Sequence, residues 1–238
     1  MPSPPAAKRR APKPTKAARK PSRRGWPPQA ERVTAILREL DHLYPAADCA
    51  LVRDDAFQLL CATILSAQCT DERVNMVTPG LFARFPPPAA MAKASPAVLE
   101  SIIRSTGFFR NKAKNLIGAA RLLDEKWNGT VPPSMDHLLE LPGVARKTAN
   151  VVLGTAFGIA DGVVVDTHVI RLSQRLALTG QSTAERIERD LMKILPRQRW
   201  ILFSHQIIWH GRRVCRARTP DCDACSLAPY CPSAFHAA

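Results

Sequence analysis

The chain has no run of about 18 uninterrupted apolar residues, so it offers no transmembrane helix, and no membrane partner is expected. Its N-terminus has basic residues without a following apolar stretch, which argues against a secretory signal. Residues 1–30 contain no Asp or Glu, yet eight prolines among them forbid the amphipathic helix of a transit peptide. There is no solenoid-type repeat and no convincing alternating strand. "GVVVD" (162–166) is the only β-like run, and it is too short to demand a sheet. Without a signal for export, the seven cysteines do not read as a disulfide framework.

What is present is positive charge. The 238 residues carry 34 Lys and Arg against 20 Asp and Glu, a net of +14. This balance favours a polyanionic partner, nucleic acid first. Residues 1–30 hold nine of the basic residues, which leaves 25 basic against 20 acidic in residues 31–238, a net of +5. The first segment is low in complexity, made mostly of Pro, Ala, Lys and Arg. It is expected to be a disordered tail that attracts phosphate without reading sequence.

From Glu31 the apolar residues recur at helical spacing. Val33, Ile36, Leu37, Leu40 and Leu43 mark one helix; Phe57, Leu60, Cys61, Ile64 and Leu65 mark a second. Asp54 or Asp55 is placed to cap the second. About ten helices are predicted and the fold class is all-α.

Two stretches carry chemistry. Cys215, Cys222, Cys225 and Cys231 lie within 17 residues. Four soft ligands at this spacing suit tetrahedral zinc or a four-iron cluster. A single CxxC, flanked by six- and five-residue spacers, favours the [4Fe-4S] cluster over zinc. The first spacer presents Arg216 and Arg218, next to Arg212 and Arg213, as phosphate contacts. The second stretch is "LPGVARKTAN" (141–150). A tight Pro-Gly turn before a helix exposes backbone N–H groups that bind phosphate without reading sequence. Taken alone, Lys147 in this stretch reads as a snorkelling, phosphate-binding lysine. Asp166, before Thr-His-Val-Ile-Arg, reads as a helix N-cap.

"ILSAQCTD" (64–71), "LPGVARKTAN", "VDTH" (165–168), "HGRRVC" (210–215) and the four cysteines follow one another in order. Over roughly residues 31–232 this pattern resembles the endonuclease III family of helix-hairpin-helix DNA glycosylases and AP lyases. The resemblance implies two helical domains with a DNA cleft between them. The expected layout is a tail (1–30), an N-terminal helix (31–48) packing with the cluster domain, a helical barrel with the hairpin near 138–154 (49–160), and the iron–sulfur cluster domain (161–238). It implies Lys147 as the Schiff-base nucleophile and Asp166 as the catalytic carboxylate. Gln68 fills the gap left by a flipped nucleotide, and Phe108 wedges into the opposite strand. Gly143, Ala145 and Arg146 join Arg216 and Arg218 as DNA contacts.

The implied partner is double-stranded DNA with a damaged base, bound by a monomer in the bacterial cytoplasm or nucleoid, or in a eukaryotic nucleus. The implied activity is removal of oxidised pyrimidines and β-elimination at the abasic site. Alternatives are a thymine-mismatch glycosylase of the same superfamily and a non-catalytic iron–sulfur DNA-binding protein that senses redox state.

The chemistry asks for a neutral amine, and a free lysine titrates near 10.4. Burial beside Val151 and Val152 and the cation of Arg146 are expected to supply it. Three stretches depart from the family pattern. Ala145 replaces a common glycine and would restrict a turn with φ > 0. Phe108-Phe109 replaces an aliphatic residue followed by Tyr. Asp221 stands where basic residues are common and would repel phosphate.

Overall fold

The computed structural model describes residues 29–235; most of the basic tail lies outside them. Among the described residues there are eleven α-helices and no strand, so the chain is all-α. In chain order they are α1 (Gln29–Leu43), α2 (Ala56–Leu65), α3 (Asp71–Arg84), α4 (Pro88–Ala92), α5 (Pro96–Ile103), α6 (Phe109–Trp127), α7 (Met135–Leu139), α8 (Arg146–Phe157), α9 (Thr167–Arg175), α10 (Ala184–Ile194) and α11 (Trp200–Arg213). No described helix is long and apolar enough to cross a membrane.

Helix α1 begins at Gln29, two residues before the expected start at Glu31. Gln29 Nε2 donates to the Leu178 carbonyl at 3.1 Å, which ties the helix start to the segment after α9. Helix α3 carries Pro79 inside it. Proline removes one intrahelical N–H bond. Here it lies on the exposed face, where water can satisfy the freed carbonyl, while Val74, Thr78 and Leu81 bury the other face. Asp55 is the cap that α2 uses, its carboxylate accepting from Gln58 N at 2.7 Å.

Apolar burial falls into two separate cores. The first runs from Leu51 to Leu153 and includes Leu59, Leu60, Leu65, Leu116 and Val152. The second combines α1 with the chain after Val163, including Ile36, Leu40, Leu172, Phe203 and Ile207. At about 25 cal/mol per Å² of apolar surface, burial of this kind is the main term holding each core together. "GVVVD" forms no strand. It is an extended crossing in which Val163, Val164 and Val165 are buried and Val164 N donates to Ser204 Oγ at 3.1 Å.

The cores are joined at α8. A methyl on Gly154 would stand 3.1 Å from Ile201 Cγ1, so glycine permits α8 to approach α11 closely. Nearby, the buried carboxylate of Glu188 accepts from Arg146 Nε at 3.0 Å and from Asn150 Nδ2 at 2.8 Å. This pairs two residues of α8 with α10.

Candidate functional site

The hairpin is α7, the turn 141–144 and α8. Val144 N donates to Leu141 O at 3.1 Å across Pro142 and Gly143. Gly143 has φ +80°, and proline followed by a residue of positive φ is the type II pattern. Space also requires this glycine, because a Cβ would lie 2.7 Å from Asn115 Nδ2 on α6. The Pro142 ring rests on Gly118 of the same helix, where a Cβ would meet it at 3.1 Å.

Ala145 is the N-cap of α8, with φ −101° and ψ 172°. Any residue adopts this extended backbone, so the expected restriction at Ala145 does not arise. The cap makes no side-chain hydrogen bond to the helix. The first-turn N–H groups therefore face outward uncapped, with the positive end of the helix dipole behind them.

Lys147 is in that first turn and is exposed. The expectation that the protein's own apolar residues bury its amine is not met: Val152 points into the first core, and only Val151 lines the cleft beside it. The expected cationic neighbour is also occupied. Arg146 is paired with Glu188, and that hydrogen bond raises the guanidinium pKa. Its Nη2 lies 4.0 Å from Asp161.

Lys147 and Asp166 line one cavity of about 310 Å³ between the two cores. The first-core wall carries Thr63, Ser66, Gln68, Ala145, Lys147 and Val151; the second-core wall carries Val164, Asp166, His205, Ile208, Trp209 and Arg212. Asp166 caps α9, its Oδ1 accepting from Val169 N at 2.8 Å, and it is half-buried. That bond holds the carboxylate at the cavity wall.

Two residues after Asp166, His168 Nδ1 lies 3.1 Å from Arg171 Nη2. That nitrogen also donates to the carbonyls of Gly211 and Cys215, each at 3.0 Å. Burial keeps the His168 pKa low against the opposing pull of Asp166. Arg171, with His168 beside it, thus braces α9 against the end of α11.

Apart from Asp166, sequence reasoning missed the second-core wall. Asp71 pairs with Arg212 at 2.6 Å across the cores. Trp209 Nε1 donates to Asp48 O at 3.1 Å, and Arg213 stacks 4.3 Å from its ring centroid. His205 lines the cavity with its pKa lowered chiefly by burial. The available signal was "HGRRVC", whose arginines were read as neighbours of a phosphate-binding loop and not as part of the cavity wall.

Gln68 and Phe108 stand at loop tips. Both are exposed and both have left-handed backbone, φ 52° and φ 47°. Such backbone is uncommon outside glycine and costs of order 1 kcal/mol. Phe108 is 66% exposed, whereas Phe109 is partly buried against the first core and stacks with Arg104 and Arg110. The pair divides its work: Phe109 anchors and Phe108 projects.

Cys215, Cys222, Cys225 and Cys231 line a single small cavity near the C-terminal end. Burial first, then the neighbouring cysteines, pushes the Cys231 thiol up to about 11. Arg175 donates to Cys215 Sγ at 3.2 Å and to the carbonyls of Arg216 and Ala217 at 2.8 and 2.7 Å. Arg216 and Arg218 are exposed on that loop. Asp221 has a structural task that sequence reading overlooked: its Oδ1 accepts from Ala224 N at 3.2 Å, capping the CxxC turn. Among the described residues, no three His, Cys, Asp or Glu side chains are grouped so as to hold one metal ion. The cysteines surround a shared space instead.

Residues 61–197 match the family described as HhH-GPD superfamily base excision DNA repair protein. The chain is 60% identical over 204 residues to Endonuclease III of Synechocystis sp. (strain ATCC 27184 / PCC 6803 / Kazusa), covering 86% of this chain and 93% of that protein. Its structure is similar to that of a non-covalent Endonuclease III–DNA complex, with TM-score 0.81 and 42% identity, covering 85% of this chain and 94% of the other. It is equally similar to a trapped Endonuclease III–DNA covalent intermediate, with TM-score 0.81 and 42% identity over 85% of this chain and 95% of the other.

Proposed function

The chain belongs to the HhH-GPD superfamily of base excision DNA repair proteins, and on that premise we propose that it removes oxidised pyrimidines through a Schiff base on Lys147. It is a DNA glycosylase with AP lyase activity, and DNA is its partner. The observation that carries the reading is the single cavity lined by an exposed amine, Lys147, and a capped carboxylate, Asp166.

The hairpin grips the phosphate backbone through the uncapped N–H groups of α8, with Gly143 keeping the turn tight. The damaged nucleotide leaves the stack and enters the cavity, while Gln68 fills the gap and Phe108 wedges the opposite strand. Lys147 Nζ attacks C1′. The N–C1′ bond forms, the glycosidic bond breaks, and the base leaves with a proton. Asp166 stabilises the positive charge on the sugar and helps take the proton from the amine. The nitrogen lone pair then opens the C1′–O4′ bond, O4′ takes up a proton, and the imine so formed acidifies C2′; loss of that proton expels the 3′ phosphate.

The four cysteines fit a [4Fe-4S] cluster: four soft thiol donors line one shared cavity, and a single CxxC with longer flanking spacers favours the cluster over zinc. When bound, it supplies structure and orders the Arg216–Arg218 loop for phosphate. The two cores correspond to a hairpin-bearing domain and a cluster domain that includes α1, acting as a monomer.

A panel of duplexes bearing thymine glycol, dihydrouracil, an abasic site or a T·G mismatch tests the substrate class. Release of both oxidised pyrimidines, with strand cleavage and no action on T·G, is expected. Excision of thymine from T·G with the oxidised bases left intact would establish the mismatch activity instead.

A further inference from the structure

Lys112 is the one buried lysine among the described residues, at 4% exposure, and the proposed reaction does not use it. Its Nζ donates to Leu65 O at 2.8 Å and to Thr106 O at 2.7 Å. Its backbone N–H donates to Phe108 O at 3.1 Å. Leu65 is the last residue of α2, three before Gln68. Thr106 is buried two residues before Phe108, its hydroxyl donating to Ile103 O at 2.8 Å. One ammonium thus clamps the roots of the two loops that end in the left-handed, exposed Gln68 and Phe108.

The location is costly. Burial lowers the Lys112 pKa, and an apolar residue at this place in α6 would avoid that cost. Lys112 is also in line with the hairpin support. Asn115 and Gly118 follow it at helical i+3 steps, and these two residues meet Gly143 and Pro142. One face of α6 therefore contacts three separate segments that end at the DNA-facing tips.

We propose that Lys112 is a positioning residue for base extrusion, fixing the separation of the Gln68 and Phe108 tips so that both enter the duplex together. The proposal rests on the reading of those tips as gap filler and wedge. Strained backbone at two loop tips needs a surrounding structure that over-determines it, and a charge-assisted bond to each root provides one.

The test compares a thymine glycol duplex with a single-stranded abasic oligonucleotide, in which no base must be extruded and no gap filled. Lys112→Met is expected to lower the single-turnover rate on the duplex about ten- to hundredfold. It should also suppress the fluorescence rise of 2-aminopurine placed beside the lesion. Cleavage of the single strand should change by less than about twofold. Lys112→Gln, which keeps one amide donor, should fall between wild type and Lys112→Met, and it carries the test if the Met variant does not fold.

Gln68→Ala and Phe108→Ala are the controls. If both leave extrusion intact, the reading of the tips fails, and the proposal with it. If both lose extrusion while the Lys112 variants keep it, the tips stand and the role of Lys112 is overturned. Equal loss on both substrates in a folded Lys112 variant would reduce the residue to general structure and also overturn the proposal.

Discussion

The two cores carry the site in different ways. The first, from Leu51 to Leu153, is a continuous apolar cluster, and its contributions to the cleft project from helix ends and loop tips: Lys147, Gln68 and Phe108 are all exposed. The second core is smaller and tied by polar bonds. Asp41 accepts from Arg199 and from Gln206, Tyr44 meets His210 at 3.1 Å, and Arg175 holds the cysteine loop. Its carboxylate at the cleft, Asp166, is half-buried and bonded into a cap. In the proposed reaction the contrast separates two tasks: the groups assigned to enter or attack the DNA stand free on an apolar body, while the carboxylate assigned to hold a charge is bonded into the body with the polar ties and the cysteines.

The sharpest way to break this contrast is to remove a cysteine. Cys225→Ser is expected to lower the melting temperature by about 10 °C or more. In hydrogen exchange, protection should collapse in α9 and α11 before α6 and α8. Uniform loss across both cores would erase the distinction. A smaller effect is expected where the cores join. Alanine at Gly162 would place a Cβ 2.0 Å from Glu188 Oε1, pushing that carboxylate off Arg146 and Asn150. Chemical denaturation should show a loss of about 1–3 kcal/mol.

Asp166 separates cap from charge. Asn caps helices about as well as Asp, so Asp166→Asn should keep stability while reducing strand cleavage; Asp166→Ala should reduce both, with about 1 kcal/mol of stability lost. Equal activity in Asn and wild type would leave Asp166 with the cap alone. The smallest effect concerns His205, whose folded pKa is depressed, chiefly by burial. The unfolded chain takes up a proton near 6.5, so His205 contributes stability above that pH that is lost as pH falls. Melting curves between pH 7.5 and 5 should fall less steeply for His205→Gln.

What could be read from the sequence was local. The all-α class followed from apolar spacing, and the cysteine cavity from four thiols within 17 residues. Gly143 was legible because a Pro-Gly turn has few backbone solutions. What depended on distant partners was not. Arg146 read as a free cation because its partner Glu188 lies 42 residues away. Ala145 was misjudged for a local reason: the position is extended, and the residue needing positive φ is Gly143.

The central claim is that Lys147, exposed and uncapped at the start of α8, is the nucleophile. Borohydride reduction during reaction with an abasic-site duplex, followed by proteolysis and peptide mass spectrometry, tests it most directly. The adduct should map to Lys147 and vanish in Lys147→Gln while DNA binding persists. An adduct on another residue, or none from the folded wild-type protein, would contradict the account.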